Sequence, residues 1–203
     1  RLLTRAVLLA RNHMFYRLAS LVVLSVCFCG VSPAAEPPAA ESMDVLLDVP
    51  FVKQEKDGCG AASIAMVMQY WLKRQGRPIS ESADATEIHR ALYAPEARGV
   101  YASAMERYFQ QHEFRTFPFR GEWNDLQQHL RKGRPLIVAL KPSGADSPLH
   151  YVVVAGLDSR GEIVLLNDPA QRKLLKQDRS DFEKQWGGTN QWTLLALPQT
   201  TGQ

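Results

Sequence analysis

Cysteine is scarce in this chain. There are three, and two of them, Cys27 and Cys29, fall in an N-terminal stretch that reads as a leader. Cys59 is left without a partner in the remainder, which excludes an intrachain disulfide framework. Long apolar runs are lacking too. The run from Leu18 to Val31 is shorter than the roughly 20 residues a membrane-spanning helix needs. A surplus of one charge is also missing. The formal charge is +3, but Arg1, Arg5, Arg11 and Arg17 all lie in the leader, where there are no acids. Without those four, 20 basic residues face 21 acidic ones, a balance of −1. That balance gives no support to nucleic-acid binding. His and Cys do not pair at zinc spacing, so neither a metal nor a cofactor is expected.

What is present starts with the leader. From Met14 the text runs "MFYRLASLVVLSVCFCGVSPAAEPPAAES". A short segment with Arg17, an apolar run and then small residues make the three-part shape of a secretory signal peptide. Cleavage is expected after Ala34, giving a periplasmic or secreted protein. Two other readings stay open: lipidation at Cys27 in "LSVC", and an uncleaved membrane anchor. "AEPPAAESMD" is a Pro/Ala/Glu linker. The expected organisation is residues 1–34 as extension and signal peptide, 35–44 as linker, 45–198 as one folded domain and 199–203 as a tail.

Within that domain "LLDVPFVKQ" reads as a short strand or extended entry. From Cys59 to Leu72 the text is apolar nearly all round, as a buried helix should be, with Gly76 and Pro78 stopping it. "SESADATEIHRALY", "VYASAMERYFQQH" and "EWNDLQQHLRKG" are further helices, and "FRTFPF" is a short strand. Then come "PLIVALK", "HYVVVAGLD", "EIVLLND" and "QWTLLAL", four β-rich runs. Helices first and strands second predict an α+β domain, with helices packed on a largely antiparallel sheet.

The thiol is the focus of the chemistry. Cys59 sits between Gly58 and Gly60 at the expected start of the buried helix. Helix N-termini carry unpaired N–H groups and the positive end of the dipole, which favour a thiolate. A small hydrophobe in a tight turn is the plainer reading of the same residue. A base is needed next. Of five histidines, His13 lies in the leader, and His89, His112 and His129 sit in polar helical text as solvated side chains. His150 opens "HYVVVAGLD", held on a strand end beside a loop. A three-residue turn "SRG", with Gly161 left-handed, would pair Asp158 with Glu162 and Val152 with Asp168. That register makes His150 and Asp168 diagonal neighbours within reach of each other. Asp168 also reads as a simple Asp-Pro turn. Gln54, five residues before Cys59, carries an amide able to donate to an oxyanion, or is a surface glutamine.

In this order "QEKDGCGAASIAMV", "HYVVVAGLD", "LLNDP" and "FEKQW" resemble the bacteriocin-processing cysteine peptidases, family thirty-nine of the papain-like clan. The resemblance runs from about Asp48 to Trp186. It implies a papain-like fold with Cys59 as nucleophile, His150 as general base, Asp168 as the residue that orients it and Gln54 as oxyanion donor. The interval from Gln54 to Cys59 is one residue shorter than in the transporter-linked members. Those members cut peptide leaders after a Gly-Gly pair, so the implied partner is a peptide or protein substrate. The expected arrangement is a stand-alone exported peptidase. Rival readings are a thiol transacylase or cell-wall peptide amidase on the same fold, and a peptide-binding module without turnover.

Overall fold

The structure, a computed structural model, describes residues 44–142, 148–160 and 162–199. The expected signal peptide with Cys27, the linker up to Met43, and Gly161 lie outside the described residues. The elements run β1 (Val45–Leu46), α1 (Cys59–Arg74), α2 (Ala85–Leu92), α3 (Ala102–Gln111), β2 (Phe114–Arg120) and α4 (Trp123–Arg131). Then follow β3 (Leu136–Leu140), β4 (His150–Asp158), β5 (Ile163–Asn167), β6 (Leu175–Asp178), α5 (Arg179–Gly187) and β7 (Trp192–Pro198). The strands form one sheet in the order β2-β7-β3-β4-β5-β6, with β1 on β4. Its pairings are antiparallel, as expected.

The alternation of each strand assigns its two faces. Ile137, Ala139, Tyr151, Val153, Ala155, Leu194 and Ala196 pack with α1, α2 and α3 in one core. Leu136, Val138, Leu140, Val152, Val154 and Leu195 pack with Leu126 and Leu130 of α4 and Phe182 and Trp186 of α5 in the other. Helices therefore cover both faces. α1 is buried along most of its length, which is why its sequence is apolar all round.

Two elements escape the sequence reading. β6 is "LKQD", half exposed on the sheet edge, and α5 buries only Phe182 and Trp186. Neither has enough apolar residues for a period to show. "FEKQW" belongs to α5, and "WGG" closes that helix, with Gly188 at its C-terminal cap. "SESADATEIHRALY" is helical in α form only from Ala85, because Asp84 takes the cap and accepts from the Thr86 and Glu87 N–H groups.

The β4–β5 hairpin corrects the expected turn. Asp158 pairs with Ile163, not Glu162, so the loop is one residue longer than "SRG". Glu162 takes a left-handed φ of 49°. Farther along, Val153 pairs with Asn167 and Val154 with Leu166, but Gly156 pairs with Leu165. The residue between them, Ala155, is a β-bulge. It takes up the extra turn residue, so Val152 and Asp168 come into the expected register. The bulge is held from outside: Leu47 N–H donates to the Ala155 carbonyl at 2.8 Å. β1 runs so close to Gly156 that a Cβ there would lie 2.8 Å from the Val45 carbonyl oxygen.

Candidate active site

Cys59 is the first residue of α1, with Gly58 as its N-cap. No side chain caps this helix, and its first turn holds no acid. Asp84 caps α2 and a capping box of Glu122 and Asp125 starts α4, whereas α1, like α3 and α5, has no side-chain cap. At α1 the N–H groups and positive dipole end are left to the thiol. The chain reaches this point through a tight turn in which Gly58 N–H donates to the Glu55 carbonyl at 3.0 Å, with Asp57 at φ 57°. Gly60 serves packing: a Cβ there would meet Val100 Cβ at 2.9 Å and Tyr151 Cδ2 at 3.5 Å.

His150 begins β4, and its Nε2 lies 2.8 Å from Asp168 Oδ1. The Cys59 thiol also acts on this imidazole and raises its pKa. Burial works against the charged ring, but the bond and charge of Asp168 together with the influence of Cys59 outweigh it, and the His150 pKa is pushed up to about 9. Asp168 is 3% exposed. Burial alone would raise its carboxyl. The His150 bond and charge, with donors from Ala170 N–H (2.9 Å, to Oδ1) and Gln171 Nε2 (2.7 Å, to Oδ2), hold it below the ordinary carboxylate value. The structure therefore brings Cys59, His150 and Asp168 together, with His150 bonded to Asp168 and the thiol close enough to raise the imidazole pKa.

Gln54 stands just before the turn to Cys59. Its backbone N–H donates to the Pro169 carbonyl at 3.0 Å, one residue after Asp168. Its Oε1 is buried, with no hydrogen-bond partner among the described residues. It lines a cavity of about 160 Å³ together with Gly58, Ala61, Ala62 and His89, so it flanks the first turn of α1. A larger cavity, near Met68, Leu72 and Phe114, contains none of these residues.

A sequence model of the family described as "Peptidase_C39 like family" matches residues 46–193. The chain belongs to that family. It is thereby a cysteine peptidase by family, and the match lies within the expected domain. Among curated proteins none matches the chain. Solved structures share the fold, among them the following three. A double glycine motif protease from an AMS/PCAT transporter, in complex with the leader peptide, is 23% identical with a TM-score of 0.55, covering 76% of this chain and 94% of its own. A C39-like peptidase from Bacillus anthracis is 18% identical with a TM-score of 0.59, covering 76% and 98%. The peptidase domain of Streptococcus ComA, a bifunctional ABC transporter, is 22% identical with a TM-score of 0.54, covering 73% and 98%.

Four neighbours of the site escape the sequence reading. Gln171 and the Ala170 N–H complete the Asp168 cage. Asn167, fully buried, ties the segment before Gln54 to the end of β5. Tyr151 packs against the Gly60 position, and burial together with the Cys59 charge pushes its pKa to about 12. Their only signal in the sequence is adjacency to His150 and Asp168. The three helical histidines read as solvated are instead partly buried. His89 and His129 have buried Nδ1 atoms without a partner among the described residues, and the His112 ring lies 4.4 Å from that of Tyr108.

Proposed function

We propose that this chain is an exported cysteine peptidase that hydrolyses peptide bonds through Cys59, His150 and Asp168, with Gln54 as oxyanion donor. The observation that carries the reading is the imidazole of His150, bonded to Asp168 at 2.8 Å, with the Cys59 thiol near enough to raise its pKa. His150 takes the thiol proton, and the sulfur adds to the substrate carbonyl carbon. The oxyanion is met by the Cys59 N–H at the uncapped start of α1 and by the Gln54 amide. The C–N bond breaks, and the leaving amine takes the proton from His150. Water, deprotonated by the same ring, releases the thioester and regenerates the thiol. Asp168 keeps the ring oriented and favours its charged form. Export is supported by the sequence from Met14 to Ala34. A peptide substrate is supported by the leader-peptide complex of the double glycine motif protease.

The test is hydrolysis of a peptide library by the purified protein beside Cys59→Ala, with the mature N-terminus read by mass spectrometry. Cys59-dependent cleavage is the expected result. Its absence across the library, with Cys59 still open to alkylation, would refute the peptidase reading. A mature protein that retains Met14 to Ala34 would refute cleavable export.

Oxyanion donation by Gln54 is separable from the triad. Gln54→Ala should lower peptide kcat by about 10²–10³. Alkylation of Cys59 forms no oxyanion and should proceed at nearly the wild-type rate. Hydrolysis within about threefold of wild type, far short of that range, would remove Gln54 from the mechanism and leave the triad standing.

A further inference from the structure

The segment that delivers Gln54 is anchored in the first core by Val49, with Phe51 and Val52 packed against it, but it has no regular backbone structure to fix its register. After β1 the chain from Val49 to Lys53 forms no strand or helix, and Pro50 has no N–H to offer a ladder. Its long-range hydrogen bonds converge on one place, the turn that ends β5. Asn167 Nδ2 donates to the Val49 carbonyl at 3.1 Å and to the Pro50 carbonyl at 3.4 Å. Asn167 Oδ1 accepts from the Leu174 N–H at 3.1 Å. Two residues on, the Pro169 carbonyl accepts from the Gln54 N–H at 3.0 Å. Between them stands Asp168, bonded to His150.

Asn167 is an unusual residue for its place. It closes the otherwise apolar strand "IVLLN" and is 0% exposed. A polar side chain at such a site is tolerated when its groups are satisfied. Here both ends of the amide are used, and the partners settle its orientation: carbonyls at the nitrogen and an N–H at the oxygen. An apolar side chain would fill the volume and leave the Val49 and Pro50 carbonyls and the Leu174 N–H without these bonds. The stretch 167–169 thus bonds the general base through Asp168 and the Gln54 arm through Asn167 and Pro169.

We infer that Asn167 is a positioning residue for the oxyanion donor: its side-chain amide fixes the 49–54 arm, and with it Gln54, in register with the triad. The inference rests on the reading of Gln54 given above. Displacement of a catalytic group by about 1 Å can cost about 10²-fold in rate, so a slack arm should be visible in turnover.

The experiment compares Asn167→Asp, Gln54→Ala and the double variant in the full chain. Asn167→Asp keeps the size and the acceptor for Leu174 and deletes the donor to Val49 and Pro50. Asn167→Ser, smaller and uncharged, is measured beside it should the buried carboxylate prevent folding. Each protein is assayed for peptide kcat and for the rate of Cys59 alkylation by iodoacetamide. The expected result is a loss of about tenfold or more in kcat for the Asn167 variants, with alkylation near wild type. In the Gln54→Ala background the Asn167 change should cost no more than about threefold further, because contacts that act through one group are not additive. Fully multiplicative losses, an unchanged kcat, or a parallel fall in alkylation would overturn the inference and leave Gln54 as the donor. Wild-type hydrolysis by Gln54→Ala itself would instead overturn the reading of Gln54, and the inference with it.

Discussion

Replacing Asp168 by Asn removes a charge and little else. The new side chain keeps one oxygen able to accept from His150 and from the Ala170 N–H, which now share Oδ1. Its NH₂ replaces Oδ2, and the exposed Gln171 can turn its own amide oxygen to meet it. The loss is therefore mainly electrostatic. His150 stands at about 9 against an ordinary 6.5, with burial opposing the rise and Asp168 and Cys59 driving it. At about 1.4 kcal/mol per pKa unit, that elevation is roughly 3 kcal/mol. Two unit charges about 4 Å apart at an effective dielectric near 20 interact by about 4 kcal/mol, so the carboxylate alone is of the right size to supply most of it. The His150 midpoint in Asp168→Asn, followed by NMR of the ring protons, should fall by about two pKa units. Peptide hydrolysis should fall less than in His150→Ala, because the ring is still oriented and still basic. A midpoint within about half a unit of wild type would refute the electrostatic role. Equal and complete loss in both variants, with both folded, would refute the division between base and orienting residue.

Three further outcomes follow from the same geometry. His150 is raised in the folded state, so its contribution to stability is full below the ordinary 6.5 and is lost as pH climbs through about 9. Thermal unfolding across that window should show the wild type losing stability, and His150→Ala should lack this component. Asp168, lowered by folding, contributes in the opposite sense: its share is present above the ordinary carboxylate value and disappears as acid takes the pH through its folded value. Gly60→Ala should destabilise by about 1–3 kcal/mol in urea unfolding, since the new methyl meets Val100 Cβ at 2.9 Å. A stability gain, as helix propensity alone would give, would show that Val100 yields freely. Cys59→Ala should abolish hydrolysis and lower the His150 midpoint, since the sulfur is one of the groups that raise it. An unchanged midpoint would place the thiol outside the ring's reach.

Much of this site is legible because its residues are near others that carry strong local signals. Cys59 opens a stretch that is apolar nearly all round, and a helix with so little polar face must be buried. His150 begins a strand for the same kind of reason. The pairing of His150 with Asp168 is more instructive. The turn "SRG" suggests one register, and the hairpin takes another at its tip. The expected pairing at the site is nonetheless right, because the bulge at Ala155 cancels the longer turn. Nothing in "HYVVVAGLD" marks that bulge. It exists because β1 crosses β4 at Gly156 and supplies a donor to the extra carbonyl, a contact between segments about a hundred residues apart. The partial burial of His89 and His129 was illegible in polar helical text: the His89 ring lies 4.8 Å from that of Tyr93, one turn on, and the His129 ring 5.9 Å from that of Phe119 in the preceding strand.

By itself, then, the sequence determined which residues could do chemistry and on what kind of element each would sit, since hydrophobic period and turn residues are local properties of the chain. It also determined that one thiol would stand without a partner at a helix start. Only the tertiary structure decided how these residues meet. The sheet order that sets β3 between β7 and β4, the bulge that brings Asp168 to His150, and the Asn167 and Pro169 bonds that hold the Gln54 arm all join segments far apart in the chain. Such contacts depend on closing long loops and on shape at the point of contact, and no short window of residues encodes either.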